Sequence, residues 1–307
     1  MKNLQTIISE YLLFCNNQKR LDSKTIKAYK IDLTQFSDYQ LNDFSKSIKP
    51  DSIEDFVSTL HQSYKPKTVR RKIASVKAFF HYLEYKDFIL INPFNKLQIK
   101  FREPIVLPKV IPLHIIESFL FTLYKQEKLV TTSFQAKCIS RDIAVIELLF
   151  ATGIRISELC SLKKSDIDFI ERHVLINGKG SKERRIQIGN DDVILALENY
   201  QRYFKEEHIT SKYFFINRIN NRLSEQSVRY MIDKYAKLAA IELHITPHMF
   251  RHSFATYLLE EDVDIRYIQE MLGHSSINIT QIYTHVTMAK QKNILTKKHP
   301  RNAIHFN

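Results

Sequence analysis

Apolar side chains in the first hundred residues recur every three or four positions, as they do along the buried face of a helix. One such segment follows Ser23, which is a favoured type of N-cap residue, a second opens at Pro50, and a third begins at Lys67. The pattern predicts four or five helices in this part of the chain. The apolar positions are Ile26, Tyr29, Leu33 and Phe36 in the first segment, Ile53, Phe56, Val57 and Leu60 in the second, and Val69, Ile73, Val76, Phe80 and Leu83 in the third.

The helix predicted from Lys67 carries cations on the faces that its apolar stripe leaves to solvent. A charged helical face is commonly nothing more than solvated surface. Because few acidic residues lie nearby, contact with the phosphates of a polyanion is the alternative that remains open. The cations are Lys67, Arg70, Arg71, Lys72 and Lys77.

Helical periodicity stops at residues 97–112, which hold Pro104, Pro108 and Pro112. Prolines at this density exclude a continuous helix and favour an extended connector. We therefore predict two domains joined by a linker. The predicted ranges are 1–98 for the first domain, 99–112 for the linker and 113–307 for the second domain.

Beyond the linker, the pattern predicts a mostly helical domain with a small antiparallel sheet. Two short segments, His173–Asn177 and Glu183–Ile188, flank the turn-forming Gly178-Lys179-Gly180 and are expected to pair as a β-hairpin. The predicted fold class is therefore mainly α, with the sheet confined to the second domain. Helices are expected at about 113–129, 140–151, 156–168, 190–206, 224–240, 247–260, 264–272 and 276–285.

Composition indicates an ordinary globular protein, with 44% hydrophobic and 26% charged residues in 307. No apolar run approaches the roughly 20 residues that cross a bilayer, and the N-terminus does not resemble a signal peptide. The three cysteines, Cys15, Cys138 and Cys160, are far apart in sequence and odd in number, a pattern that suits neither a disulfide framework nor a zinc site. We expect a cytoplasmic protein that uses neither a cofactor nor a metal.

The net charge of +13 is spread along the chain. Residues 1–100 hold 17 Lys and Arg against 10 Asp and Glu, which leaves 29 against 23 for the remainder. An excess shared by both domains favours a long polyanion lying across the whole protein, although a basic protein without such a partner is not excluded by charge alone.

Glycine, by contrast, is concentrated. All five glycines lie from Gly153 to Gly273, and a glycine-free first half favours helices, since glycine costs a helix about 1 kcal/mol relative to alanine. The remaining glycines indicate positions where backbone geometry or a close ligand requires them. Arg155 follows the first of them at the start of a predicted helix, and Lys179 lies between two glycines of the hairpin. Taken singly, such residues are more often a cap or a solvated turn, and Lys182 competes with Lys179.

Three further motifs follow in the last quarter of the chain. If Pro247 opens a helix, His248 and Arg251 are three residues apart and share a face. His274 follows a glycine that ends a helix, and Tyr283 lies nine residues later. A single tyrosine among 15 is usually a packing residue. These residues are therefore informative through the order and the spacing of their motifs, and not one at a time.

An arginine, a lysine 24 residues later, His-x-x-Arg, Leu-Gly-His and a tyrosine nine residues beyond that histidine together resemble the tyrosine recombinase (phage integrase) family, and the Xer-type members most closely. The resemblance covers essentially the whole chain. It implies a helical core-binding domain of SAM-like type at residues 1–98 and a catalytic domain at 113–307, whose tail docks into a neighbouring protomer. The catalytic residues that it implies are Arg155, Lys179, His248, Arg251, His274 and Tyr283.

The family reaction gives each of these residues a role. Arg155, Arg251 and His274 would hold the phosphate, His248 would accept the phenol proton, and Lys179 would protonate the departing 5′ oxygen. Tyr283 would form a phosphotyrosine that conserves the bond energy for rejoining.

The implied partner is double-stranded DNA at recombination sites, bound by a homotetramer, with a second recombinase or an accessory protein as a further possibility. Lys67, Arg70, Arg71 and Lys77 are the DNA-binding residues predicted in the first domain. The alternatives are a type IB-like topoisomerase, a DNA-binding regulator without catalysis, and a basic structural protein.

Overall fold

The computed structural model describes residues 3–97, 109–178 and 183–273. They fall into two compact units, within residues 1–105 and residues 106–307, and each unit has its own hydrophobic core. Most of the predicted linker lies outside the described residues. Within the described ranges, no helix has both the length and the apolar character needed to cross a bilayer.

The first unit is a bundle of five helices, as the periodicity predicts. Phe36 of the second helix packs its ring edge against Phe80 of the fifth, with centroids 5.9 Å apart. The second helix begins at Ser23, but its N-cap is Asp22, which accepts a hydrogen bond from the Thr25 amide at 2.9 Å. The prediction that Ser23 is the cap was therefore wrong by one residue. The helices are α1 (Leu4–Asn17), α2 (Ser23–Tyr39), α3 (Phe44–Ser47), α4 (Pro50–Ser63) and α5 (Pro66–Tyr85), followed by a 3-10 turn at Pro93–Lys96.

A buried carboxylate joins α2 to α5. Asp32 is fully buried and accepts hydrogen bonds from Lys72 at 3.1 Å and Ser75 at 2.8 Å, and it pairs with Arg71. The Lys72 side chain is only 4% exposed, so the expectation that it lies on a solvated or phosphate-binding face was wrong. A periodic pattern assigns lysine to the polar face by residue type, whereas here the carboxylate of α2 neutralises it inside the bundle.

Asp32→Ala is expected to destabilise the first unit by about 3–5 kcal/mol, because it leaves the Lys72 ammonium buried without its counter-charge. Hydrogen exchange of the α2 and α5 amides in the full chain measures this loss as faster opening. The control is Asp55→Ala on α4, which removes an exposed carboxylate and should change protection by less than about 0.5 kcal/mol. Equal effects of the two variants would show that the buried pair contributes no specific stability.

The second unit is mostly helical and contains a three-stranded antiparallel sheet in the order β1-β2-β3. The predicted hairpin is present, with Leu175 opposite Arg185 and Asn177 opposite Glu183. The helices are α6 (Leu113–Lys128), α7 (Ser133–Thr152), α8 (Ile156–Ser161), α9 (Asp191–Tyr203), α10 (Glu207–Thr210), α11 (Glu225–Leu238), α12 (Pro247–Glu260) and α13 (Ile265–Leu272). The strands are β1 (Ile167–Asp168), β2 (His173–Asn177) and β3 (Glu183–Gln187).

Two of the predicted helices differ in extent. The helix expected at 140–151 begins at Ser133, because a capping box between Thr132 and Gln135 starts it earlier. The helix expected at 156–168 ends at Ser161, because Asp166 accepts a hydrogen bond from the Lys163 amide and forms a 3-10 turn that leads into β1. The helix expected at 276–285 lies outside the described residues.

Left-handed glycines end the two helices that lead to predicted catalytic residues. Gly153 caps α7 with φ +59°, and Gly273 caps α13 with φ +63°. A Cβ on Gly153 would lie 2.6 Å from the ring of Phe254, so both conformation and space require glycine there. The chain therefore turns sharply just before Arg155 and just before His274.

Candidate active site

Three of the six predicted catalytic residues lie in the described part of the chain: Arg155, His248 and Arg251. The other three, Lys179, His274 and Tyr283, lie outside the described residues, as does the competing Lys182. The described residues therefore include half of the predicted site and the helix α13 that precedes His274.

Arg251 is buried, only 4% exposed, and it joins two helix ends. Its Nη1 donates to the Gly153 carbonyl at 2.8 Å, and its Nη2 donates to the Leu272 carbonyl at 2.6 Å. These carbonyls belong to the C-terminal ends of α7 and α13, which lack partners within their own helices. One guanidinium on α12 thus fixes the backbone that leads to Arg155 and the backbone that leads to His274.

Arg155 stands at the N-cap of α8, and its side chain is 37% exposed. Its Nη1 donates to Glu158 Oε1 at 2.8 Å, while its backbone amide donates to Glu158 Oε2 at 2.8 Å. The Glu158 side chain is 7% exposed. Arg155 is therefore held from both its main chain and its side chain by one carboxylate, and it remains accessible to an anion.

Arg184, on β3, binds the same carboxylate. Its Nη1 and Nη2 donate to Glu158 Oε1 and Oε2 at 3.1 and 2.8 Å, and its Nε donates to the Met271 carbonyl at 2.7 Å. Burial alone would raise the pKa of Glu158, but hydrogen bonds from Arg184 and from the Arg155 amide, with the charges of both arginines, lower it below its usual range. Glu158 is therefore a carboxylate at neutral pH.

His248 lies one helical turn before Arg251 on α12, as the spacing predicts. Partial burial lowers the pKa of His248, and the nearby charges of Arg251, Arg229 and Arg155 lower it further, against a smaller opposing effect of Glu225. The imidazole is thus neutral at pH 7 and can accept a proton. Arg251 donates to the Gly153 carbonyl, two residues before Arg155, and His248 lies one turn from Arg251 on the same helix, so the three predicted residues lie near one another in the fold.

Sequence reasoning did not identify Glu158, Arg184 or Arg229. A signal existed for the first two. Glu158 occupies the third position of its helix, where a carboxylate commonly caps the N-terminus. Arg184 shares a strand face with the buried Ile186, and a cation on an inward face indicates a buried partner. Arg229, ion-paired with Glu225 on α11, carries no such signal.

In the first unit, the predicted DNA-binding residues share one face of α5 and are exposed. Arg71 also pairs with the buried Asp32, so its guanidinium has a structural partner in addition to any anion. Within α5 itself, the single acidic residue, Glu84, lies in the last turn.

Comparison with known proteins adds independent findings. Residues 122–290 match the model of the Phage integrase family, and residues 8–86 match that of the Phage integrase, N-terminal SAM-like domain. The chain is 61% identical over 307 residues to a tyrosine recombinase of Agathobacter rectalis, with all of both chains covered. It is 36% identical over 308 residues to tyrosine recombinase XerC of Thermodesulfovibrio yellowstonii, with 98% of each chain covered.

Solved structures share the fold. XerA recombinase matches with a TM-score of 0.52 at 26% identity, covering 99% of this chain and 100% of that one. XerH site-specific recombinase, in a post-cleavage complex with a palindromic difH substrate, matches with a TM-score of 0.73 at 22% identity, covering 94% of this chain and 84% of that one.

Proposed function

Since the chain belongs to the phage integrase family and is a site-specific tyrosine recombinase of the Xer type, we propose that Tyr283 is its nucleophile and that Arg155 and Arg251 hold the scissile phosphate. The observation that carries this proposal is the convergence of Arg155, Arg251 and His248 where α7 and α13 end. In the sequence, His274 comes directly after Gly273, and Lys179 falls between β2 and β3.

Charge accumulates on the non-bridging oxygens of a phosphodiester as it is attacked. Arginine binds such oxygens in a bidentate manner, and each preorganised donor of this kind is worth about 3–4 kcal/mol in the transition state. Arg155 is oriented by Glu158 and Arg251 by two backbone carbonyls. Both guanidiniums are therefore oriented before the phosphate arrives. His274 adds a further donor.

The proton transfers follow from the ordinary acidity of the groups. A phenol with a pKa of about 10 is a weak nucleophile, so the neutral His248 accepts its proton as the bond from the Tyr283 oxygen to phosphorus forms. The bond from phosphorus to the 5′ oxygen breaks, and Lys179 gives that oxygen a proton. The products are a 3′-phosphotyrosine and a 5′-hydroxyl, and the reverse reaction with a second 5′-hydroxyl rejoins the strand.

DNA binding involves both units. The α5 face with Lys67, Arg70, Arg71 and Lys77 contacts phosphates, which gives the first unit a sequence-independent contribution to affinity. Four protomers act on two double-stranded sites. The λ integrase tetramer, whose fold resembles this chain at 15% identity with a TM-score of 0.69, was solved bound to a Holliday junction, and it supports the same assembly here.

The test of the proposal is to identify the residue that carries the DNA. A binding site is first selected from random duplexes, and a nicked version of it loses a short 5′-hydroxyl fragment on cleavage, so the covalent complex accumulates. The tryptic peptide from Tyr267 to Lys290 holds two tyrosines, so fragmentation mass spectrometry must place the adduct. We expect it on Tyr283. An adduct on another residue would refute the assignment. So would the absence of any adduct on a DNA site that the protein recombines.

The rate of covalent complex formation should fall as the pH decreases, with a midpoint below 6.5, the ordinary histidine value. The sign follows from the lowered pKa of His248, because protonation removes the proton acceptor and occurs only below the depressed value. His248→Gln should slow cleavage about 100-fold and flatten this acidic limb. His244→Gln, an exposed histidine before the same helix, is the matched control and should retain the wild-type profile.

A further inference from the structure

We infer that Arg184 is a positioning residue for DNA cleavage: through Glu158 it sets the orientation of Arg155, and through the Met271 carbonyl it ties the end of α13 to the same point. The inference rests on the proposed role of Arg155. Arg184 itself is assigned no contact with the phosphate.

The hydrogen bonds show how the arrangement works. The Arg184 side chain is only 10% exposed, and three of its donors are directed at Glu158 and Met271. Glu158 in turn uses both oxygens for Arg155. The carboxylate is therefore shared by two guanidiniums, one nearly buried and one accessible. The buried one limits the positions that the carboxylate can take, and the carboxylate limits those of Arg155.

Arg184 also packs against Gly273. A Cβ on Gly273 would lie 3.1 Å from Nη1, 3.2 Å from Cδ and 3.3 Å from Cζ of Arg184, so the arginine lies directly against this left-handed residue. Arg251 holds the neighbouring Leu272 carbonyl. Two successive carbonyls at the end of α13 are thus bound by two different arginines. Strand β3, the start of α8 and the end of α13 meet at Arg184.

The charge balance argues against a direct role in phosphate binding. The pKa of Glu158 is lowered, so its carboxylate is ionised and offsets the charge of one guanidinium. Arg184 donates to it in a bidentate manner, which leaves the more exposed Arg155 as the arginine of this pair suited to meet an incoming anion. A lysine could supply charge at position 184 but could not reproduce the three directed bonds.

Arg184→Ala is expected to slow single-turnover formation of the covalent complex about 100-fold, because a misplacement of roughly 1 Å at a reacting group has an effect of that size. The DNA dissociation constant should change less than threefold. Arg184→Lys should recover less than a tenth of the lost rate. The matched control is Arg185→Ala, which removes an exposed cation from the next position of the same strand and should keep the wild-type rate within threefold.

A double-mutant cycle separates positioning from direct contact. If Arg184 acts mainly through Arg155, adding Arg184→Ala to Arg155→Ala should lower the rate by less than about fivefold further. If the double variant instead loses the product of the two single-variant rate losses, the inference is overturned. An Arg184→Ala rate equal to that of wild type would overturn it as well. A loss explained by unfolding would appear as a lower melting temperature and weaker DNA binding.

A measurement without DNA keeps the inference separate from the proposed reaction. In protein labelled with ¹⁵N-arginine, the Arg155 side-chain resonance, assigned through Arg155→Lys, should report restricted rotation in the wild type and faster rotation in Arg184→Ala. Unchanged rotation would overturn the inference even if the DNA adduct forms. Faster rotation in a chain that forms no adduct would uphold the positioning and refute only the proposed reaction.

Discussion

Tyr283→Phe is expected to abolish the SDS-resistant DNA complex, with a loss of cleavage greater than about 10⁴-fold. The substitution removes a single oxygen, which is the atom that bonds to phosphorus in the proposed reaction, and no other hydroxyl can reproduce its position. Denaturing gel electrophoresis of a nicked, labelled duplex measures the complex directly. DNA affinity should remain within about twofold of wild type, since a phenyl ring preserves the packing of a phenol.

The matched control for this variant is Tyr267→Phe. Tyr267 is 65% exposed on α13 and is sixteen positions before Tyr283 in the chain, so it tests the loss of a tyrosine hydroxyl nearby in sequence. It should form the complex at the wild-type rate. A residual complex in Tyr283→Phe, or an equal loss in both variants, would contradict the assignment of the nucleophile.

Arg251→Ala is expected to slow cleavage by about 10³-fold and to lower stability by about 2–4 kcal/mol. The first effect follows from the loss of a phosphate donor. The second follows because the carbonyls of Gly153 and Leu272 lose a charged donor in a buried place. Arg251→Lys should restore part of the stability but little of the rate, because one ammonium cannot reach both carbonyls and the phosphate.

Single-turnover kinetics and thermal unfolding of the same samples measure the two effects separately. Arg266→Ala provides the control, because that arginine is 78% exposed on α13 and pairs with Asp264. It should leave both quantities close to wild type. If Arg251→Lys cleaved as fast as the wild type, the two-carbonyl anchor would have no role in catalysis.

Much of the fold was predictable because it depends on periodicity and on chain-breaking residues. The apolar positions led by Ile26, Ile53 and Val69 lie on the helices α2, α4 and α5 of the first unit, and the two segments predicted to form a hairpin pair as β2 and β3. Periodicity could not predict which buried polar side chains pair with each other across long stretches of the chain. Lys72 is buried because Asp32, 40 residues away, neutralises it. No local pattern encodes that pairing.

The candidate site shows the same division. The motif order predicted Arg155, His248 and Arg251 as candidate site residues, because phosphate chemistry requires these residue types. It did not identify Glu158 and Arg184, which bind each other across 26 residues and act on the backbone and on other side chains. Their signals are weak because a helix-capping glutamate and a strand arginine are common in any protein. Only the hydrogen bonds between the two side chains distinguish them from other such residues.

The contact between Arg251 and the Gly153 carbonyl also bears on synthesis of the protein, because it spans 98 residues of chain. A ribosome that has already released the first unit and Arg155 must translate almost a third of the gene more before the anchoring guanidinium emerges. Nascent or prematurely terminated chains can therefore present cationic helices to the chromosome while lacking an assembled cleavage centre. A chain that ends before Arg251 therefore cannot form this anchor.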